Sequence, residues 1–219
     1  MLEAYICLRN VSKRFREQEV IKPVSLELEK GRIYGLIGRN GSGKTVLMKM
    51  ILGMMKPTSG EIFVGEKQIG RDVDFPESAG AIIENMQFIP YYSAYDNLYQ
   101  IAAIRHVASK QDLHRVLERV GLADAKRKKA GKFSLGMRQR LAIAQAIMEH
   151  PELIVLDEPM NGLDKKGVEE MRQLFIQLKE EGATILLASH NMEDVRQLCD
   201  MVFEIDAGNV KAGSQSQKL

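Results

Sequence analysis

Hydrophobic and polar positions divide the chain into segments of different period. In the front half, short apolar runs alternate with turn residues: "AYICLRNV", "VSLELEKG", "IYGLIG" and "GEIFVGEK" read as strands. After "GSGKT" the period changes. Val46, Leu47, Met50 and Ile51 fall at helical spacing, and Gly53 and Pro57 end that helix. From about Ser93 to His150 the pattern is helical, without strands. Leu113, Val116, Leu117 and Val120 mark one helix that stops at Gly121, and a second runs from about Ser134 to His150, ending before Pro151.

Unbroken apolar runs then appear. "ELIVLDEP" and "ATILLAS" carry the mark of strands buried on both faces of a parallel sheet. Between them "KKGVEEMRQLFIQLKEEG" is an amphipathic helix, with Asp164 as its cap and Gly182 as its terminator. "MEDVRQLC" is a further helix, and "MVFEIDAGNVKAG" a closing hairpin turning at Gly208 and Asn209. The polar tail "AGSQSQKL" is expected to fray. The order predicts one α/β domain over residues 1–219, with a core of about 1–89 and 151–219 and a helical insertion at about 90–150.

Composition narrows the picture only a little. Of the 219 residues, 45% are hydrophobic and 27% charged, enough for a core of normal size. A net charge of +2 is too small to imply a nucleic-acid binder by itself. Cys7 and Cys199, in a chain whose opening "MLEAYICLRNVSKRF" lacks the pattern of an export signal, are expected to be reduced structural thiols. No apolar run approaches the ~20 residues of a membrane-spanning helix, so any membrane role runs through a partner.

The chemistry begins at "GRNGSGKT", which fits G-x-x-x-x-G-K-[ST] between a predicted strand and a predicted helix. Across Gly38, Arg39, Asn40, Gly41, Ser42 and Gly43 the glycines let the backbone curl, so that N–H groups point inward at phosphate oxygens. The helix N-terminus adds partial positive charge. Lys44 reaches the terminal phosphates, and the Thr45 hydroxyl is a Mg²⁺ ligand. A second constellation sits where "LIVLDE" ends. Ligands of parallel α/β sheets gather beyond the strands' carboxyl ends, so Asp157 can hold Mg²⁺, directly or through water, and Glu158 can polarise an attacking water.

In order, the chain carries "GRNGSGKT", "FSLGMRQR", "LIVLDEP", "NGLD" and "SH". This series resembles the nucleotide-binding subunit of an ATP-binding cassette (ABC) transporter along nearly the whole chain. The resemblance implies a P-loop α/β fold with a mixed sheet core, an antiparallel β portion and an inserted helical subdomain. It implies that "FSLGM" is the signature, commonly LSGGQ, whose Ser134, Leu135 and Gly136 address the terminal phosphate of ATP held by another chain. Leu135 replaces the middle glycine there and Met137 the glutamine. Phe15 falls where the family stacks an aromatic on adenine, with core packing as the competing reading. Asn161, Gly162, Leu163 and Asp164 match the loop that couples two sites across a dimer, and His190 matches the switch histidine at the terminal phosphate.

Glu84 stands where the family usually has a glutamine that contributes an oxygen to Mg²⁺ or water. A carboxylate is a good hard ligand for Mg²⁺, and its charge is expected to make it act when Mg²⁺ is present. With "FIPYYSAYDNL" after it, the segment resembles the branch of bacitracin- and lantibiotic-resistance and related multidrug exporters. The implied reaction is ATP hydrolysis with ATP and Mg²⁺. The implied partners are a separate integral membrane permease subunit, on the cytoplasmic face of the cell membrane, and a second ATPase chain, the same or similar. The rival reading is a soluble ABC ATPase acting on RNA or the ribosome. It draws on "KRKKAGK", from Lys126 to Lys132, a segment equally read as a solvated basic patch, and no nucleic acid is expected.

Overall fold

Strands β1 (Ala4–Phe15) and β2 (Gln18–Glu29) form a long antiparallel hairpin in the computed structural model, which describes residues 4–84 and 86–213. The predicted tail beyond Gly213 lies outside the described residues. The hairpin belongs to an antiparallel sheet of order β2-β1-β4-β5, with β4 at Ser59–Val64 and β5 at Lys67–Gln68. Ile6, Leu8 and Val11 of β1 are buried and pack with Ile21 and Leu28 of β2, as alternation along a half-buried strand requires.

The second sheet has the order β10-β9-β3-β8-β7-β6. Its strands are β3 (Ile33–Ile37), β6 (Ala79–Ile82), β7 (Leu153–Asp157), β8 (Thr184–Ala188), β9 (Met201–Asp206) and β10 (Asn209–Ala212). All neighbours run parallel except β10 on β9. Leu153 to Leu156 are fully buried, as the unbroken apolar run predicts. Helix α1 (Lys44–Ile51) follows β3 directly, and its Leu47, Met48, Met50 and Ile51 pack between the two sheets.

Between β6 and β7 stand α2 (Ala94–Arg105), α3 (Lys110–Arg119) and α4 (Leu135–Ile147). Ser93 and Ser109 each open their helix with a capping box, to Asp96 and Asp112. Leu98, Leu113 and Leu141 join one continuous apolar cluster with Ile82 and Leu156 of the sheet and Phe175 of α5 (Lys165–Glu180). The inserted helices therefore share a core with the sheet. Cys199, just after α6 (Met192–Leu198), is fully buried, and burial pushes its thiol up to about 12.

Two local features differ from the sequence expectation. Strand β6 was hidden because "AGAI" offers four small or apolar residues with no alternation. The closing hairpin turns at Ala207 and Gly208, because Asn209 already pairs with Asp206. Both turn residues have positive φ, 45° and 78°, as the tightest hairpin connection demands. Asn209 instead donates from Nδ2 to the Asp206 carbonyl at 3.3 Å.

Candidate active site

Four parallel strands end on one side of the sheet and deliver the predicted residues together. Strand β3 runs into Gly38–Gly43, β7 ends at Asp157, β8 leads to His190, and β6 leads to Glu84. This is the carboxyl edge, where open α/β sheets place ligands.

The loop after β3 is held in a curl that tolerates no side chains at two of its glycines. Gly38 has φ 152°, and a Cβ there would lie 2.2 Å from the Ile205 carbonyl oxygen. Gly43 has φ 111°, and a Cβ would lie 2.6 Å from Ile21 Cδ1 of β2. Lys44 opens α1 with only 7% of its surface exposed, and its ammonium donates to the carbonyls of Gly38 at 2.7 Å and Arg39 at 3.1 Å. The cation is thus folded back over the cavity of its own loop. Arg39, Asn40 and Gly41 are exposed at the tip. The Ser42 hydroxyl is buried and has no hydrogen-bond partner among the described residues. A buried hydroxyl without a partner costs about 1–3 kcal/mol, which a phosphate oxygen bound in this curl would recover. The cradle fits a polyphosphate.

Thr45 donates its hydroxyl to Asp157 Oδ2 at 2.6 Å. A hydroxyl and a carboxylate held side by side, next to a phosphate cradle, are hard oxygen donors suited to Mg²⁺. Among the described residues no three His, Cys, Asp or Glu side chains converge as a metal cage.

Glu158 follows Asp157 with φ 51°, a left-handed backbone uncommon for a residue with a side chain. Its amide donates to the Ala188 carbonyl of β8 at 2.9 Å, which fixes the turn. The carboxylate then meets His190, with Glu158 Oε2 2.8 Å from His190 Nδ1. Asn191 caps α6 through its own side chain, accepting from the Glu193 amide at 2.9 Å, and so sets where the His190 segment leaves the sheet. A groove of about 350 Å³ runs from Gly38 and Arg39 to His190 and Met192.

Glu84 also has a left-handed backbone, φ 59°. Its carboxylate receives the Lys49 ammonium at 2.5 Å. Lys49 lies four residues after Thr45 on α1, so a single helix face offers Thr45 to Asp157 and Lys49 to Glu84. Sequence reading missed Lys49, although that i, i+4 spacing was available as a signal.

The remaining predicted residues form two further groups. Ser134 caps α4, accepting from the Met137 amide at 3.2 Å, and Leu135 beside it is 66% exposed. Asn161 to Asp164 make the turn into α5. The Asn161 amide donates to the Glu158 carbonyl at 3.2 Å, and the Asp164 carboxylate accepts from the Gly167 amide at 2.7 Å. Gly162, in the left-handed region at φ 79°, lies against Leu135 and Gly136. Phe15 ends β1, 44% exposed rather than packed in the core, with the Lys13 ammonium 5.0 Å from its ring centre. Its hairpin partner strand β2 is the one that touches Gly43. The basic segment Lys126–Lys132 is partly built into the fold: the Lys126 carbonyl accepts from the Tyr95 amide at 3.2 Å, and Lys128 Nζ lies 3.8 Å from Met137 Sδ.

Residues 21–161 match the family model described as ABC transporter. The chain is 44% identical over 206 residues, covering 94% of both chains, to an ABC transporter ATP-binding protein, YybJ, of Bacillus subtilis. It is 40% identical over 212 residues to the bacitracin transport ATP-binding protein BcrA of Enterococcus faecalis, covering 96% of this chain and 69% of that one. A solved ATP-binding cassette, described as dimeric and in a post-hydrolysis state bound to ADP and Pi, superposes with a TM-score of 0.86 over 98% of this chain and 100% of its own, at 22% identity. The cradle at the head of α1, the acidic pair closing β7 and these kinships converge, and the chain belongs to the ABC transporter family, as an ATP-binding and ATP-hydrolysing subunit.

Proposed function

We propose that this cassette works as a pair, with a second copy or a similar ATPase chain, and that ATP-dependent closure drives export through a separate membrane permease. The observation that carries the catalytic half of this reading is the contact between Glu158 and His190 at the strand ends, where His190 shares a groove with Gly38 and Arg39 of the glycine loop. ATP phosphates settle on the Gly38–Gly43 backbone, where Lys44 turns its ammonium to the terminal phosphates and Ser42 finds its partner. Phe15, exposed at the hairpin end, stacks on the adenine. Glu158 accepts the proton of the attacking water, and His190 orients that carboxylate and contacts the terminal phosphate. Thr45, Asp157 and Glu84 are the residues that would hold Mg²⁺, which neutralises charge on the phosphate oxygens.

Ser134, Leu135 and Gly136 of one chain cap the triphosphate held by the other, and Asn161–Asp164 carries the state of one site across to its twin. The N-cap geometry of Ser134 favours an anion at that helix start, and the solved relative described as dimeric supports the pairing. Beyond Glu84, Ile89, Tyr91, Tyr92 and Tyr99 leave large apolar groups exposed, Tyr91 by 79%. Such a patch fits a docking helix of a permease, and that docking supports a working position on the cytoplasmic face of the membrane. Among the described residues no helix is long and apolar enough to cross a membrane itself. The similarity to BcrA supports an antimicrobial peptide or a drug as cargo.

The test uses Glu158→Gln, which preserves binding while removing the base. With ATP and Mg²⁺ this variant is expected to elute as a dimer in size-exclusion chromatography with light scattering, and the parent as a monomer. A variant that binds ATP and stays single overturns the paired reading. Co-expression with a candidate permease chain is expected to bring the cassette into the membrane fraction, and Tyr91→Asp to release it.

A further inference from the structure

The start of α4 and the turn into α5 fit together through one side chain. A Cβ built on Gly162 would lie 2.4 Å from Leu135 Cγ, 2.6 Å from Leu135 Cδ2 and 3.3 Å from Leu135 Cβ. Leu135 therefore fills the space that any side chain at position 162 would need. The fit is reciprocal, since a Cβ on Gly136 would lie 2.9 Å from the Gly162 carbonyl oxygen and 3.7 Å from Leu163 Cδ2. The first turn of α4 thus rests a leucine on a bare α-carbon and a glycine on a carbonyl. Both sides are anchored elsewhere. Ser134 caps α4, while the turn is tied to Glu158 through the Asn161 amide and to α5 through the Asp164 cap.

We propose that Leu135 is a positioning residue whose seat on Gly162 locks the Ser134–Gly136 helix start to the Asn161–Asp164 turn, so that both reach the partner chain as one rigid unit. This rests on the paired reading given above and names the device inside it. A leucine where the resemblance leads one to expect glycine is accommodated because residue 162 has no side chain. Leucine methyl groups in contact with backbone cannot interpenetrate, so sliding α4 along the turn requires lifting Leu135 off its seat. The same turn begins at the Glu158 carbonyl. The seat therefore also sets the distance between the catalytic carboxylate of one site and the Ser134 helix that serves the other.

The test is a cycle of Gly162→Ala, Leu135→Ala and the double variant, each made in the full chain, alone and on Glu158→Gln. Amide hydrogen exchange on the single chain reads the seat directly: Leu135→Ala is expected to raise exchange at Leu163, whose amide donates to the Met160 carbonyl at 3.2 Å, by about tenfold, as a local opening that global stability does not mirror. On Glu158→Gln, Gly162→Ala is expected to weaken ATP-dependent dimerisation by about tenfold with ATP affinity of the single chain unchanged. The double variant is expected to return to the level of Leu135→Ala alone, recovering only the part of the loss that comes from the collision of the new methyl group with the leucine. Exchange unaltered by Leu135→Ala overturns the proposal. So does a double variant no better than Gly162→Ala, which would assign the loss to alanine's strain at positive φ. A Glu158→Gln parent that never dimerises overturns the paired reading instead, and the exchange measured on the single chain tells the two failures apart.

Discussion

Glu158 Oε2 and His190 Nδ1 lie 2.8 Å apart, although one residue follows β7 and the other follows β8. The pairing is set by the sheet: Asp157 pairs with Ala188 in the parallel ladder, so the residues just beyond each strand emerge side by side. A carboxylate so placed has one oxygen engaged by imidazole and the other available to a water. Glu158→Gln, which preserves shape and removes the proposed proton acceptor, is expected to lower kcat by about 10²–10⁴-fold and leave ATP affinity near that of the parent. His190→Ala is expected to reduce kcat more than KM, since it removes the group that orients the carboxylate. Steady-state ATPase assays with nucleotide binding measured in parallel check both, and an unchanged kcat in Glu158→Gln would remove that residue from the chemistry.

Lys44 is the most buried cation of the loop, and its present partners are the carbonyls of Gly38 and Arg39. Charged hydrogen bonds contribute about 1.5–3 kcal/mol each, so Lys44→Ala is expected to weaken ATP binding by at least tenfold. Gly38→Ala should be comparably damaging for a different reason, because its methyl group would collide with the Ile205 backbone. Isothermal titration with a non-hydrolysable ATP analogue checks both, and unchanged affinity in Lys44→Ala would mean the cradle does not hold phosphate.

How much of this was legible without coordinates depended on the kind of signal. The glycine-rich turn between β3 and α1, the strand end at Asp157 and the buried parallel strands were readable because each is a local pattern with a local physical cause. Strand β6 was not, because "AGAI" becomes a strand only by pairing with β7, and the partner is more than 70 positions away by the register of Ala79 with Leu153. Phe15 was a choice between core and surface that only burial could decide. The Leu135–Gly162 seat was invisible for the same reason: one residue is a substitution within a motif, the other a glycine with an ordinary turn role, and only their contact explains either. Lys49 is the exception, since its helical spacing from Thr45 was in plain view.

The Glu84 carboxylate holds the Lys49 ammonium at 2.5 Å, and a magnesium ion bound as proposed above would compete with Lys49 for it. The ion pair is exposed on the Glu84 side, 64%, and such pairs contribute under ~1 kcal/mol. Lys49→Met is therefore expected to lower the Mg²⁺ concentration for half-maximal ATPase activity by less than about fivefold. Glu84→Gln is expected to raise it, because the carboxylate's charge is lost. If neither variant shifts the Mg²⁺ titration, Glu84 takes no part in holding the ion.

Cys199 is fully buried, and its Sγ would lie 2.8 Å from a Cβ placed on Gly35 of β3. Burial, with the carboxylates of Asp200 and Asp194 adding to it, pushes the thiol up to about 12. A thiol reacts as thiolate, so iodoacetamide at pH 8 is expected to label Cys7 in the folded chain and leave Cys199 unmodified until denaturant is added. Mass spectrometry of tryptic peptides reads this, and rapid native labelling of Cys199 would mean that the α6 end opens readily.

Arg172 of α5 and Asp194 of α6 form a buried ion pair, with Arg172 Nε at 2.9 Å and Nη2 at 2.6 Å from Asp194 Oδ1. The two residues are 7% and 1% exposed, and Arg172 also reaches Glu169 and Glu193, so it is the Asp194 carboxylate that is stranded away from water when Arg172 is removed. Truncating one member of such a pair costs about 3–5 kcal/mol. Arg172→Met is thus expected to lower the denaturation midpoint strongly, and Arg172→Met with Asp194→Leu to recover much of the loss, since an apolar pair leaves no stranded charge. The consequence reaches the site, because α6 begins immediately after the His190 segment and α5 immediately after the Asp164 turn. In Arg172→Met, kcat is expected to fall further than ATP affinity even at temperatures where the chain remains folded. Urea unfolding alongside ATPase kinetics separates the two effects. A variant with parental stability would mean that the α5–α6 contact is held by its apolar residues alone.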